Sequence, residues 1–322
     1  MKKAFAGIGL MIALTTVSSA QDSGKVRRPE LPTELKESFE RAKNIRFSGT
    51  RTVTVVRAGK IETHNEYVTK DGPNLRIEFA TGSPYSGQII IETNKERKHY
   101  FPDKNEIREY PSFSKKQFEG FRSFGRGGKS GSMHFDTSTG GVIAGQKCTK
   151  FQLSDSSNNP VAQVYIEPRS GMTMKRVIFD QTGNIAGSYE FVTLTLDPKI
   201  QPGAFKIFRK GATVIRPSDD LRKVAKELGL PALALPKSSG YLLEGAYVRD
   251  VKGAKVLVQS YGSDDSRITV FMTKSTLNAS DLRRSNRGEL VSSLRTLNGV
   301  TIVLMGDQTE DRLRTLSNQL SE

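Results

Sequence analysis

From Arg46 to Leu196 the chain repeats one pattern: short runs with apolar or β-branched side chains at alternate positions, broken by tight turns rich in Gly, Asn, Asp and Pro. Period-two alternation marks a strand with one buried face, and turns this short join only antiparallel neighbours. Arg46 to Val56 places Phe47, Val53 and Val55 on one side. Turns at Ala58-Gly59-Lys60, Asp71-Gly72-Pro73-Asn74, Asn94-Lys95-Glu96 and Pro102-Asp103-Lys104-Asn105 separate strands over 61–69, 75–80, 87–93, 97–101 and 106–110. These six strands predict an antiparallel meander. Residues 112–140 interrupt it as a long insertion, and strands resume over 145–153, 162–167, 172–179 and 185–196. About ten strands around one insertion predict a large, strongly curved sheet. Its apolar inner face must be covered by a helix, a lid or a ligand.

Two segments are candidates for that cover. Leu31 to Asn44 reads as a helix, with Thr33 as a fair N-cap and Leu35, Phe39 and Ala42 on one stripe. The insertion carries Phe113, Phe118, Phe121 and Phe124 interleaved with Lys115, Lys116, Arg122 and Arg126. A short helix would bring Phe118, Phe121 and Phe124 to one side, beside basic groups suited to an acyl chain with an anionic head. The simpler reading is that the segment plugs the sheet. Phe47, Val53 and Val55 are the matching candidates on the sheet itself.

Residues 197–239 contain Pro198, Pro202, Pro217, Pro231 and Pro236 and read as a linker with one short helix from Ser218 to Leu228, capped by Ser218. The domain boundaries drawn from this are 31–210, a Pro-containing linker at 211–239, and 240–322. The last unit alternates again over 241–251, 254–261, 267–273, 289–297 and 300–305. It ends in a helix at 308–320, with Leu313, Leu316 and Leu320 on one stripe: a small α+β domain.

The N-terminus supplies an address. Lys2 and Lys3 precede an apolar run from Ala4 to Val17, and Ser18-Ser19-Ala20 offers small residues for cleavage. This reads as a secretory signal peptide over residues 1–20, followed by a flexible leader at 21–30. The apolar run is shorter than a spanning helix needs. Cleavage takes two lysines with it, so the net charge falls from +15 to +13. Outside the cytoplasm nucleic acid is not the expected partner for such a surface. Anionic lipid, lipopolysaccharide or an acidic protein segment fits better, beside the bland reading of a solvated basic surface. Arg283, Arg284 and Arg287 form a basic loop that could meet an acidic partner.

Catalytic and metal chemistry find little support. One cysteine, Cys148, closes no internal disulfide and builds no Cys-cluster site. Three scattered histidines, His64, His99 and His134, predict neither a zinc site nor a triad. Gly128-Lys129-Ser130 resembles the end of a phosphate-binding loop, but Ser123 stands where its first glycine belongs. Paired acids at 219–220 and 264–265 read as caps and solubilising groups. A hydrolase rests on isolated Ser and His residues alone, and no cofactor is implied.

Three stretches carry a family likeness. Phe47-Ser48-Gly49-Thr50 opens a strand. Gly145-Gln146-Lys147-Cys148 leads to Val164-Tyr165-Ile166-Glu167-Pro168-Arg169-Ser170-Gly171 and then to Lys175 through Asp180, closing with Gly183 and Tyr189-Glu190-Phe191. The third stretch is Gln259 to Asp264, Ile268 to Phe271 and Val300 to Asp307. In this order they resemble the MucB/RseB family, whose first domain is similar to the lipoprotein carriers LolA and LolB. The resemblance implies an α+β fold, mainly antiparallel β: a LolA/LolB-like unclosed β-barrel enclosing helices, then a small α+β C-terminal domain. It also implies a non-catalytic periplasmic regulator. Such a protein binds the extracytoplasmic part of a membrane-anchored anti-sigma factor, protects it from proteolysis and responds to lipid-type ligands. The competing reading is a lipid or lipoprotein carrier. Oligomeric state is not legible.

Overall fold

The computed structural model describes residues 31–57, 59–94, 96–111, 133–180, 182–263, 266–276, 279–282, 291–306 and 308–322. The signal peptide and leader, Phe113, Phe118, Phe121, Phe124, Arg283, Arg284, Arg287 and the acids at 264–265 lie outside them. Among the described residues the strands form two sheets. The larger contains β1 (Arg46–Arg57), β2 (Lys60–Asp71), β3 (Asn74–Phe79), β4 (Ile89–Glu92), β5 (Glu96–Phe101), β6 (Glu106–Pro111), β7 (His134–Ile143), β8 (Gln146–Ser154), β9 (Pro160–Ile166), β10 (Thr173–Phe179), β11 (Ile185–Leu196) and β12 (Thr213–Ile215). Its spatial order is β12-β6-β5-β4-β3-β2-β1-β11-β10-β9-β8-β7. Neighbours are antiparallel except β12, which runs parallel to β6. The edges β12 and β7 do not pair, so the sheet is unclosed, yet β7 curls back to touch β11.

The meander β1–β6 follows the sequence pattern closely. Two strands escape that pattern. β7 lies in what reads as insertion, because His134 to Gly141 is polar and lacks alternation; as an edge strand it is exposed over most of its length. β12 is three residues in a Pro-bearing stretch.

Register places Val53 opposite His64 of β2 and Tyr189 of β11, and Arg51 opposite Glu66 and Phe191. These residues share the inner face with Phe47 and Val55. That face carries α1 (Thr33–Ala42), whose Leu35 packs on Phe151, Val164 and Ile166. Pro32, not Thr33, occupies the N-cap position of α1, with no side-chain cap: the proline holds an extended backbone and the helix begins at Thr33 itself. At the other end, Lys70 reaches from β2 and donates to the carbonyls of Ala42 (3.1 Å), Lys43 (2.7 Å) and Gly72. Burial pushes this ammonium down to about 8, with Asp71 pulling back. Replacing Lys70 by Met leaves those carbonyls without their donor. The expected loss is about 2 kcal/mol by urea denaturation. An unchanged midpoint would mean that water serves the carbonyls equally well.

The linker reading needs correction over 197–239. Phe205, Ile207 and Ala212 cover Ile89, Ile91, Tyr100 and Ile107 on the outer face of β4–β6. Arg76 pins this strap by donating to the carbonyls of Ala204 (2.9 Å) and Lys206 (3.2 Å). The chain then adds β12 to the edge and enters α2 (Pro217–Leu228). Ser218 does not cap α2. Pro217 starts it, its fixed φ suiting a first helical residue, and the Asp219 carboxylate accepts the Arg216 N–H at 2.9 Å. Leu221, Val224, Leu230, Leu233 and Leu235 are all buried in the second core. The prolines therefore punctuate packed segments.

The second sheet has β13 (Leu242–Val251), β14 (Ala254–Gly262), β15 (Arg267–Thr273), β16 (Val291–Leu297) and β17 (Val300–Gly306), in the order β13-β14-β15-β17-β16. α4 (Glu310–Gln319) and α2 cover one face, where Leu257, Ile268, Val270, Met272, Ile302 and Leu304 meet Leu313 and Leu316. α3 (Ala279–Leu282) places Leu282 against Val258, Phe271 and Val303 on the other. No helix among the described residues is long and apolar enough to cross a membrane.

Candidate functional site: the inner face and its joint

Alternation should make the inner face apolar, and on the β8–β11 side it is, apart from Arg176 of β10. Phe47 stacks edge-on against Phe191 at 5.6 Å beside Val68, Cys148 and Met174. Cys148 is a free buried thiol, pushed up by burial. Val53 and Val55 are buried on the same face. They do not look onto a purely apolar lining, because β2 places Glu62, His64, Glu66 and Lys70 opposite the inner-face residues of β1.

His64 and Glu66 are 5% and 1% exposed. Glu66 Oε1 meets His64 Nε2 at 3.1 Å, and Glu66 Oε2 accepts from Arg51 Nε at 2.8 Å and pairs with Arg51 Nη2 at 2.7 Å. Burial would push the Glu66 carboxyl up; the His64 hydrogen bond and the Arg51 guanidinium outweigh it and hold it below its ordinary value. With Nε2 donating, His64 Nδ1 is a buried acceptor with no hydrogen-bond partner among the described residues. Its ring lies 5.5 Å from Phe79 and 5.2 Å from Tyr85, and Tyr85 donates to Glu62 at 3.1 Å. Arg51 also lies over the Tyr189 ring, 4.9 Å from its centre. Arg176, from β10, is a further buried cation on this face, and burial lowers its pKa.

A second charged group sits at the β5–β6 end. His99 pairs with Arg108, and Arg97 with Tyr110, across these two strands. His99 is buried, meets Gln88 at 2.8 Å and lies on Phe101 at 4.0 Å. Burial, then Arg97 and Arg108, press its pKa down to about 3, so it is neutral. The second unit closes on this end. Arg108 meets Asp220 of α2 at 3.2 Å and Glu106 at 3.6 Å. Glu244 of β13 meets Arg267 at 3.5 Å and also feels the charge of Arg97. From the outer side Arg216 grips Glu109 at 3.0 Å, so the start of α2 straddles β6. Burial raises both Asp220 and Glu244; Arg108 and Lys223 pull Asp220 back, and Arg267 and Arg97 pull Glu244 back, without cancelling it.

Of the residues singled out from sequence, Phe47, Val53 and Val55 therefore share one inner face. Sequence reading passes over its charged members, Arg51, His64, Glu66, Arg97, Arg108 and Arg176. The signal is present in β2: His64, Glu66 and Lys70 keep the parity of Val68, so they must point where Val68 points. Among the described residues no three His, Cys, Asp or Glu side chains gather as a metal site would need.

No protein-family model matches the chain, and no curated protein matches it. Solved structures give weak likenesses. An uncharacterized conserved protein from Thermus thermophilus is 16% identical, with a TM-score of 0.41, over 56% of this chain and 98% of that one. The Pseudomonas aeruginosa MucA/MucB complex gives 14% identity and a TM-score of 0.40, over 90% and 99%. A LolA superfamily protein from Nitrosomonas europaea gives 12% and 0.28, over 54% and 97%. The chain's own strand order, rather than likeness at these scores, carries its fold class: mainly antiparallel β, with a large unclosed sheet followed by a small α+β unit.

Proposed function

We propose that this chain is an exported binding protein that regulates rather than catalyses. It holds the extracytoplasmic segment of a membrane-anchored anti-sigma factor, shields it from proteolysis and responds to a lipid-type ligand on the inner face of its large sheet. The observation that supports regulation over carriage is the mixed character of that face. A carrier that buries acyl chains gains from an unbroken apolar lining, since a hydrocarbon offers nothing to a buried charge. Here Arg51, Glu66 and His64 stand beside Val53 and Val55, and Arg97 and Arg108 follow at the joint. Such a face suits an amphiphile with an anionic head, or a polar protein segment, better than an acyl chain alone.

The test is capture on residues 21–322 from detergent-solubilised envelope, followed by trypsin digestion of the captured material with and without the protein. A single-pass membrane protein with a cytoplasmic sigma-binding segment, cleaved more slowly in the complex, is the expected result. Recovery of lipid or lipoprotein with no such partner would make the protein a carrier. Truncation to locate the partner site belongs before residue 213. A cut at 239 would strip the second sheet from Leu221, Val224, Leu230 and Leu233 and leave them in water.

A further inference from the structure

Arg97 and Arg108 are diagonal neighbours on the inner face, with His99 and Tyr110 completing the square. His99 is neutral, so nothing on these two strands except Glu106 offsets the guanidiniums from within the square. Glu92 stands opposite Arg97 on β4 and stays with the large sheet whether or not the second unit is docked. Guanidinium forks placed side by side suit phosphate and carboxylate groups. Among the described residues, the anions that reach them from outside the large sheet come from the other unit: Asp220 on α2, 3.2 Å from Arg108, and Glu244 on β13, near enough for the Arg97 charge to act on it. The match is incomplete. Among the described residues, Arg97 Nε and Glu106 Oε2 are buried with no hydrogen-bond partner. Glu244 is shared with Arg267, and Asp220 is a single carboxylate at the edge of the square.

We propose that Arg97 and Arg108 form an anion site on the inner face, and that Asp220 and Glu244 hold its place in the closed chain as built-in pseudo-ligands. A phosphate or carboxylate group entering the site takes the guanidiniums from the two carboxylates. Anion binding and loosening of the second sheet are then one equilibrium. The proposal rests on the functional reading only in giving the ligand an anionic head; it requires no protein partner.

The experiment uses residues 21–322 at constant ionic strength with three probes: dihexanoyl phosphatidic acid, dihexanoyl phosphatidylcholine and inorganic phosphate. Affinity and amide hydrogen exchange over 96–111 and 217–228 are read together. Phosphatidic acid should bind and speed exchange in both segments, and the zwitterionic lipid should do neither. Asp220→Asn combined with Glu244→Gln should bind about tenfold tighter, because the competing carboxylates are gone. Arg97→Gln combined with Arg108→Gln should bind at least tenfold more weakly. Equal action by inorganic phosphate would keep the site and identify its ligand as a free anion. Unchanged affinity in the Asp220/Glu244 variant, or binding without faster exchange in α2, would overturn the latch. Because that variant keeps both arginines, misfolding of the arginine variant cannot mask the answer. If these shifts appear and no partner is protected from trypsin, the regulatory reading falls and the anion site stands.

Discussion

Acidifying the protein from pH 6.5 to about 3 is expected to remove roughly 5 kcal/mol of stability through His99 alone. Its imidazole is buried on β5 beside Arg97 and Arg108, and its pKa is pressed from 6.5 down to about 3. Above pH 6.5 the group is neutral in both the folded and the unfolded chain, so it costs nothing. Between 6.5 and 3 the unfolded chain binds a proton that the folded chain refuses. Stability then falls by about 1.4 kcal/mol for each pH unit. Full stability thus lies above the unfolded pKa and drains away as pH drops. The measurement is urea denaturation at half-unit intervals, compared with His99→Gln. That variant keeps a polar group facing Gln88 and cannot titrate. It starts lower, since it gives up the ring contact with Phe101, but its acid limb should be shallower by one proton. Parallel acid limbs would show that His99 ionises freely in the folded state.

Gly171→Ala should destabilise the fold by about 4 kcal/mol, the range of a forced backbone clash. Gly171 has φ +73°, which already disfavours a side chain. A Cβ there would stand 1.9 Å from the Ser38 carbonyl oxygen of α1 and 2.7 Å from its carbon. Neither is the tip of a flexible side chain, so the helix itself must move. The turn cannot yield either, because Glu167 grips it from below. Its carboxylate accepts the Arg169 N–H (2.9 Å), the Ser170 N–H (2.7 Å) and the Ser170 hydroxyl (2.6 Å). Arg41 ties α1 to the same turn by donating to the Pro168 carbonyl at 3.0 Å. Gly183→Ala is the control. It has φ +83° with open space around a Cβ and should lose only about 1 kcal/mol. Equal losses at the two positions would mean that backbone strain, not the approach of α1, fixes Gly171.

The sheet was legible because its information is local. Alternation and turn residues place β1 to β6 and β8 to β11 within a few residues, and the stripe of Leu313, Leu316 and Leu320 places α4. What escapes depends on distant partners. β7 is a strand only because β8 offers it an edge, and its polar sequence carries no sign of that. The segment around Phe205 and Ile207 reads as linker because the apolar patch it covers, Ile89 to Ile107, belongs to strands whose outer faces read as wet. The candidate site is half legible. Phe47, Val53 and Val55 follow from parity, but His64 reads only as one of three scattered histidines. Its burial follows from the same parity, applied to polar residues as strictly as to apolar ones. The joint is not legible at all, since Arg97, Arg108, Asp220 and Glu244 meet only through tertiary packing.

The strand order also bears on how the chain finds its fold. β1 to β6 and β7 to β11 are two arms in which each strand pairs with the next, so each arm can assemble from adjacent hairpins. They meet at a single seam, β1 against β11, where Phe47 faces Leu196. Closing that seam, like the pairing of β12 with β6, brings together strands more than a hundred residues apart, and its entropic cost comes before any of its pairing is gained. Refolding should therefore show fast burial within the arms and a slower phase, in milliseconds to seconds, as they join. Arg51 and Glu66 already pair within the first arm, and the Tyr189 ring under Arg51 is added only when the seam closes, so that cation–π contact reports its completion.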